Sequence, residues 1–265
     1  MNPVRVIRGE GPVIIGVPHA GTWLPEAVKA RLNARGKRLA DTDWHVDRLY
    51  EDLLPGASMV IANFHRYVID PNRPPEDESL YPGQNTTGLI PLTDFDGEPI
   101  WNEPPGKAEQ EAYLEHYHGA YHAALKAEIE RARAAHGVAI LFDAHSIRSE
   151  IAYLFEGVLP DFNIGTAGGT SCDPRIEAAV AEACARAEGY SHIVNGRFKG
   201  GWTTRHYGRS ETGVHAIQME LAQSTYLTSE TEPFQYDTAK AASLRSVLSD
   251  VLGALETLAP ELKVR

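Results

Sequence analysis

Apolar residues along this chain fall into two rhythms. Short, nearly unbroken runs rich in β-branched residues, "PVIIGVPHAG" from Pro12, "ASMVIANFHRYVID" from Ala57 and "GVAILFDAHS" from Gly137, have the length and composition of buried strands. "HAIQMELAQ", from His215, alternates apolar and polar side chains at the period of a strand. Between them the spacing becomes helical. A helix is predicted over "DTDWHVDRLYEDLLPG", capped by Asp41 or Thr42, with Trp44, Leu49 and Leu53 apolar and Gly56 ending it. A longer one runs from about Lys107 to His136. A third begins at Pro174 behind a Cys172–Asp173 cap and reaches about Glu188, and an amphipathic helix from about Thr231 to Leu258 closes the chain.

Strands alternating with helices predict an α/β sheet with helices on its faces. "FNIGTAGGTSCDP", from Phe162, adds a further strand and a glycine-rich loop. Residues 76–105 are rich in Pro, Gly, Asn and Asp, and a loop that long inside a compact domain points to a lid or a pocket wall. No linker-like boundary interrupts the pattern, so a single domain over residues 1–265 is expected.

Composition narrows the function. A net charge of −11 argues against nonspecific binding to nucleic acid or to an anionic membrane. A small anionic substrate would need locally clustered arginines. The N-terminus lacks a signal-peptide core, and no apolar run is long enough to span a bilayer. Cys172 and Cys184 are the only cysteines. On the helical reading they lie ~18 Å apart along the axis, too far for a disulfide. A reduced, cytoplasmic protein is therefore expected. Any metal must be held by histidine and carboxylate.

Candidate chemistry gathers at the strand ends, where open α/β sheets bind their ligands. The first strand leads to His19, the third to His145, and the second runs into Asp70, Asn72 and Arg73; the alternating late strand carries Glu220. Asp143, two residues before His145, is placed to accept the far N–H of its imidazole. Two histidines and one carboxylate would form the three-ligand zinc site with an open position that hydrolases use. Asp43 and Asp47, one helical turn apart, are the candidates for the carboxylate. His45 lies off that face, and His118, His122 and His206 read as packed or pocket-lining residues.

"VPHAG", "DTDWHVDRLY", "RYVIDPNRPP", "FDAHSIRS", "FKGGWTTRHYG" and "HAIQMELAQSTY", in this order over about Val13 to Tyr226, resemble the N-formylglutamate amidohydrolase family. That family is similar in fold to zinc carboxypeptidases and aspartoacylases. The resemblance implies a three-layer α/β/α sandwich with a mixed, mainly parallel sheet. It also implies one zinc ion held by two histidines, here His19 and His145, and a carboxylate. Glu220 matches the catalytic glutamate, and Asn72 and Arg73 match the Asn-Arg substrate motif. The wider group takes its carboxylate ligand three residues after the first histidine. Here that position is Thr22, so the ligand must come from elsewhere, and Asp43 is preferred to Asp47 for its place in "DTDWHVD".

The implied reaction is hydrolysis of N-formyl-L-glutamate to formate and glutamate, a step of histidine degradation. Zinc would activate water, Glu220 would act as base and then acid, and Arg73 would face the oxyanion. Guanidinium groups suit the two substrate carboxylates. Arg73, Arg148 and Arg205 are the candidates, ahead of Arg66 and Lys199. A deacylase of another N-acyl amino acid on the same fold is the near alternative. A two-manganese ureohydrolase-type formiminoglutamase is the more distant one, but Ile147 stands where it needs an aspartate. A binding protein that keeps the pocket without catalysis is a third.

Overall fold

The β-branched runs form one seven-stranded sheet in a computed structural model that describes residues 1–80 and 82–263. The strands are β1 (Val4–Ile7), β2 (Val13–Val17), β3 (Ser58–Ala62), β4 (Ala139–Ile147), β5 (Phe162–Gly165), β6 (His192–Val194) and β7 (Val214–Ala222). Their order is β1-β3-β2-β4-β7-β5-β6. β3, β2, β4 and β7 run parallel, whereas β1 and β5 pair antiparallel with β3 and β7. The sheet is mixed, with a parallel centre. β1 and β6 escape the sequence pattern because both are short edge strands and mostly exposed.

The helices are α1 (Glu26–Arg31), α2 (Val46–Tyr50), α3 (Lys107–Tyr113), α4 (Gly119–His136), α5 (Pro174–Ala185), α6 (Trp202–Tyr207) and α7 (Thr238–Leu258). Alternation along the strands divides the core in two. Ile15, Phe142, Ile217 and Met219 pack with Ile176 and Val180 of α5 and Leu244, Leu248 and Val251 of α7. Ile14, Leu141 and Ala216 face Tyr121, Leu125 and Ile129 of α4. The result is three layers, α/β/α. Each fully buried Leu or Val contributes ~1.5–3 kcal/mol, so α7 is held mainly by its apolar stripe.

Local chemistry sets the helix ends. α5 starts at Pro174, with the Asp173 carboxylate accepting from Arg175 N–H. α3 and α4 form one predicted helix, joined by a π turn over Leu114–His118, and Gly137 ends it at φ 73°. α7 begins later than expected because Asp237 accepts from Ala239 N and Lys240 N and so starts it there. The helix predicted over 41–56 shrinks to α2. Asp41 turns inward to accept from Tyr67 O–H (2.8 Å) and Phe95 N–H (3.0 Å), and the Thr42 hydroxyl donates to Leu39 O (2.7 Å), so neither caps the helix, which starts behind His45. The apolar run from Ala57 leaves the sheet after Ala62: Phe64 makes an isolated parallel bridge to Trp23, and turns follow at 66–68 and 71–72. Cys172 and Cys184 are both free and buried. Among the described residues no helix is long and apolar enough to cross a membrane.

Candidate active site

On β4 and β7 the residues facing α4 are apolar at first, then polar: Ala139 and Leu141 give way to Asp143 and His145, and Ala216 to Gln218 and Glu220. The same register pairs His145 with Glu220. His19 follows the end of β2, and the Asp70–Arg73 turn lies beyond β3. All of these groups come together at the carboxyl end of the parallel strands.

His19 Nδ1 and His145 Nδ1 lie 3.1 Å apart. Asp43 Oδ2 is 3.2 Å from the second and 3.7 Å from the first. Each far nitrogen meets another carboxylate: His19 Nε2 is 2.7 Å from Asp70 Oδ1, and His145 Nε2 is 3.2 Å from Asp143 Oδ2. Carboxylates only accept, so both Nε2 atoms carry hydrogen, and the two Nδ1 atoms converge with Asp43 Oδ2 on one point that calls for a proton or a metal ion. Asn72 Nδ2 also touches His145 Nε2 at 3.1 Å. Both atoms are donors in this tautomer, so that contact is packing.

Two facing lone pairs repel unless a cation sits between them. Ligands at ~2.0–2.1 Å in tetrahedral array stand ~3.3 Å from one another, close to the spacings here. Charge points the same way. Asp43, Asp70 and Asp143 are buried around the two imidazoles, with the buried Arg66 guanidinium against Asp43 and Arg73 3.9 Å from Asp70 Oδ2, so carboxylates outnumber guanidinium groups at the cluster. Arg66 Nη2 donates to Asp43 Oδ1 at 2.5 Å, and Ser146 N–H to Asp43 Oδ2 at 3.0 Å. Against the effect of burial, Arg66 holds the Asp43 carboxyl far below its usual range. His145 is likewise drawn toward the protonated form by Asp143 and Asp43, although burial alone would lower its pKa. Glu220 is pushed up to about 8, chiefly by burial. The donor set fits a divalent metal ion, and His19, Asp43 and His145 form a group able to hold one.

Beside the cluster opens a cavity of ≈ 630 Å³, its mouth included. His19, His145, Glu220, Gln218 and Asn72 form its inner end; Arg66, Arg73, Arg197, Asn85–Thr87 and Phe95 line the rest. Part of the 76–105 loop is thus a pocket wall. Arg73 is held by Thr87 O (2.8 Å) and Asn72 O (3.1 Å).

A family model for N-formylglutamate amidohydrolase matches residues 11–227. The chain belongs to the N-formylglutamate amidohydrolase family. It is 50% identical over 253 residues to the N-formylglutamate deformylase of Pseudomonas putida, covering 94% of this chain and 93% of that one. The Pseudomonas aeruginosa N-formylglutamate deformylase is 49% identical over the same length, with 94% of each chain covered. The crystal structure of N-formylglutamate amidohydrolase from Ralstonia eutropha JMP134 superposes with a TM-score of 0.81 at 26% identity, covering 96% of this chain and 98% of that one.

Not every site residue expected in this family member gathers here. Asp47 lies near the surface, paired with Arg5 at 3.0 Å, so of the two candidate carboxylates only Asp43 stands with the histidines. Arg148 does not line the cavity; its Nη2 pairs with Asp96 Oδ1 at 2.9 Å, at a separate cleft. Arg205 is also off the wall, its Nε bonded to Gly200 O at 2.9 Å. Two cavity arginines had little sequence signal. Arg66, ranked behind the others, reaches Asp43 from a turn that reads as strand, and Arg197 lies outside every strand-end motif.

Proposed function

We propose that this chain is a single-domain, zinc-dependent deformylase that hydrolyses the amide C–N bond of N-formyl-L-glutamate to formate and L-glutamate. The observation that carries the substrate is the 50% identity to the P. putida deformylase across nearly both whole chains. Support for the metal comes from the facing Nδ1 atoms and Asp43, each imidazole backed by its own carboxylate.

An ion held by His19, Asp43 and His145 supplies Lewis acidity toward the formyl carbonyl and a water molecule. Glu220 accepts a proton from the attacking water and delivers it to the departing amine nitrogen. Its raised pKa suits this cycle, since positive charge nearby brings the carboxyl down from about 8 toward the working pH. Asp70 and Asp143 keep the two imidazoles in the ligating tautomer. Arg73 offers its charge to the oxyanion, and with Asn72 and Arg197 it receives the substrate carboxylates.

Formate release from N-formylglutamate, N-formylaspartate and N-acetylglutamate, with and without chelator, tests this account. The expected result is preference for N-formylglutamate, loss of activity on chelation and recovery with zinc. Hydrolysis of none of the three would refute the substrate assignment. Two manganese ions per active chain would refute the one-zinc site.

A further inference from the structure

Asp70, Asn72 and Arg73 belong to one short turn, and each has a separate task. Asp70 meets His19, Asn72 lies against His145, and Arg73 lines the cavity. The turn lies outside every strand, and Pro71 has no N–H to help hold it. Its internal bonds are Asn72 N–H to Asp70 Oδ1 (2.8 Å) and Arg73 N–H to Asp70 O (3.2 Å). The carbonyls of Pro71 and Arg73 face outward, toward the long helix.

Two histidines meet them. His122 Nε2 is 2.8 Å from Pro71 O, and His118 Nε2 is 3.0 Å from Arg73 O. A carbonyl only accepts, so both Nε2 atoms carry hydrogen and donate. Tyr207 O–H stands 3.1 Å from His122 Nδ1, matching that tautomer. His118 closes the π turn and His122 follows one turn later, on the same side of the helix. Their rings lie 4.5 Å apart, and Trp202 of α6 packs on both. α6 also holds the turn directly, through Thr203 N–H to Asn72 Oδ1 at 2.9 Å. Burial lowers both histidines' pKa values, His122 to about 3, so each stays a neutral donor at ordinary pH.

We propose that His118 and His122 are positioning residues that clamp the Asp70–Arg73 turn, aligning Asp70 and Asn72 with the metal-binding histidines and Arg73 with the substrate. The kinetic half of this inference rests on the deformylase function proposed above, and the metal-affinity half on the metal site proposed with it. A glutamine side chain can donate to the same carbonyls, whereas leucine fills the space without donating. His122→Leu should weaken zinc affinity, measured against a chromophoric chelator, by about tenfold or more, and His122→Gln should restore most of it. His118→Leu should raise KM for N-formylglutamate by about tenfold or more, with a smaller change in kcat, and His118→Gln should recover it. Thermal unfolding of all four variants separates these effects from misfolding. If leucine and glutamine variants behave alike in both assays, or all match wild type, the clamp is overturned. If the wild type leaves N-formylglutamate intact, the deformylase function fails, and zinc affinities of the His122 pair still decide the clamp.

Discussion

Glu220→Gln keeps the shape of the side chain and removes its charge, with two effects of opposite sign. Loss of the base should lower kcat by roughly 10²–10⁴, or ~3–5 kcal/mol of transition-state stabilisation. Stability of the metal-free protein should move the other way. Burial holds the Glu220 carboxyl at about 8, against 4.5 for an ordinary glutamate. Because the folded value is the higher one, its contribution to stability is full below pH 4.5 and is lost as pH rises through about 8. At ~1.4 kcal/mol per pH unit the burden on the metal-free wild type above that range is on the order of 3–5 kcal/mol. Glutamine carries no such burden. Urea unfolding with chelator present, at about pH 4 and about pH 9, should show matching stabilities at the first and a more stable variant at the second. A variant that hydrolyses N-formylglutamate as fast as wild type, or that is less stable at the higher pH, would refute this account of Glu220.

Four further variants test residues beyond Glu220. Asp43→Asn leaves the Arg66 guanidinium buried without its carboxylate, and should cost about 3–5 kcal/mol and strip the protein of metal. Asp47→Asn, at the surface, should change urea stability by less than ~1 kcal/mol and leave metal content intact. Asp41 is pushed up to about 7 by burial, from 3.8, so its contribution is full below 3.8 and lost as pH rises through about 7. Asp41→Asn should flatten the urea-midpoint profile across that window while keeping an acceptor for Tyr67 and Phe95. A Cβ at Gly201 would fall 2.4 Å from Asn72 Nδ2, so Gly201→Ala must displace that amide. Formate-release kinetics should then show kcat/KM reduced by about tenfold or more.

Long, doubly buried strands were the most legible part of the chain, because nothing but a central strand accounts for "VIIGV" or "AILFDAHSI". The strand-end rule by itself brings His19, His145 and Glu220 to one place. What sequence hid has physical causes. Asp41 looks like a helix-capping residue in isolation, and only Tyr67 and Phe95, distant in sequence, turn it inward; the choice of Asp43 over Asp47 is likewise made by Arg66 and Ser146, which hold the Asp43 carboxylate at the cluster. Arg148 and Arg205 sit close to suggestive motifs, yet a guanidinium on a long side chain goes where acceptors are: Asp96 for one, a backbone carbonyl for the other. Arg197 reaches the cavity from the segment between β6 and α6, which carries no periodic pattern.

The central claim is that His19, Asp43 and His145 together hold one zinc ion. X-ray absorption at the zinc edge, combined with elemental analysis of the active protein, tests it most directly. The account predicts one zinc per chain with two imidazole nitrogens at ~2.0–2.1 Å and oxygen in the remaining positions. A metal–metal vector in the spectrum, or full activity in protein that carries no metal, would contradict it.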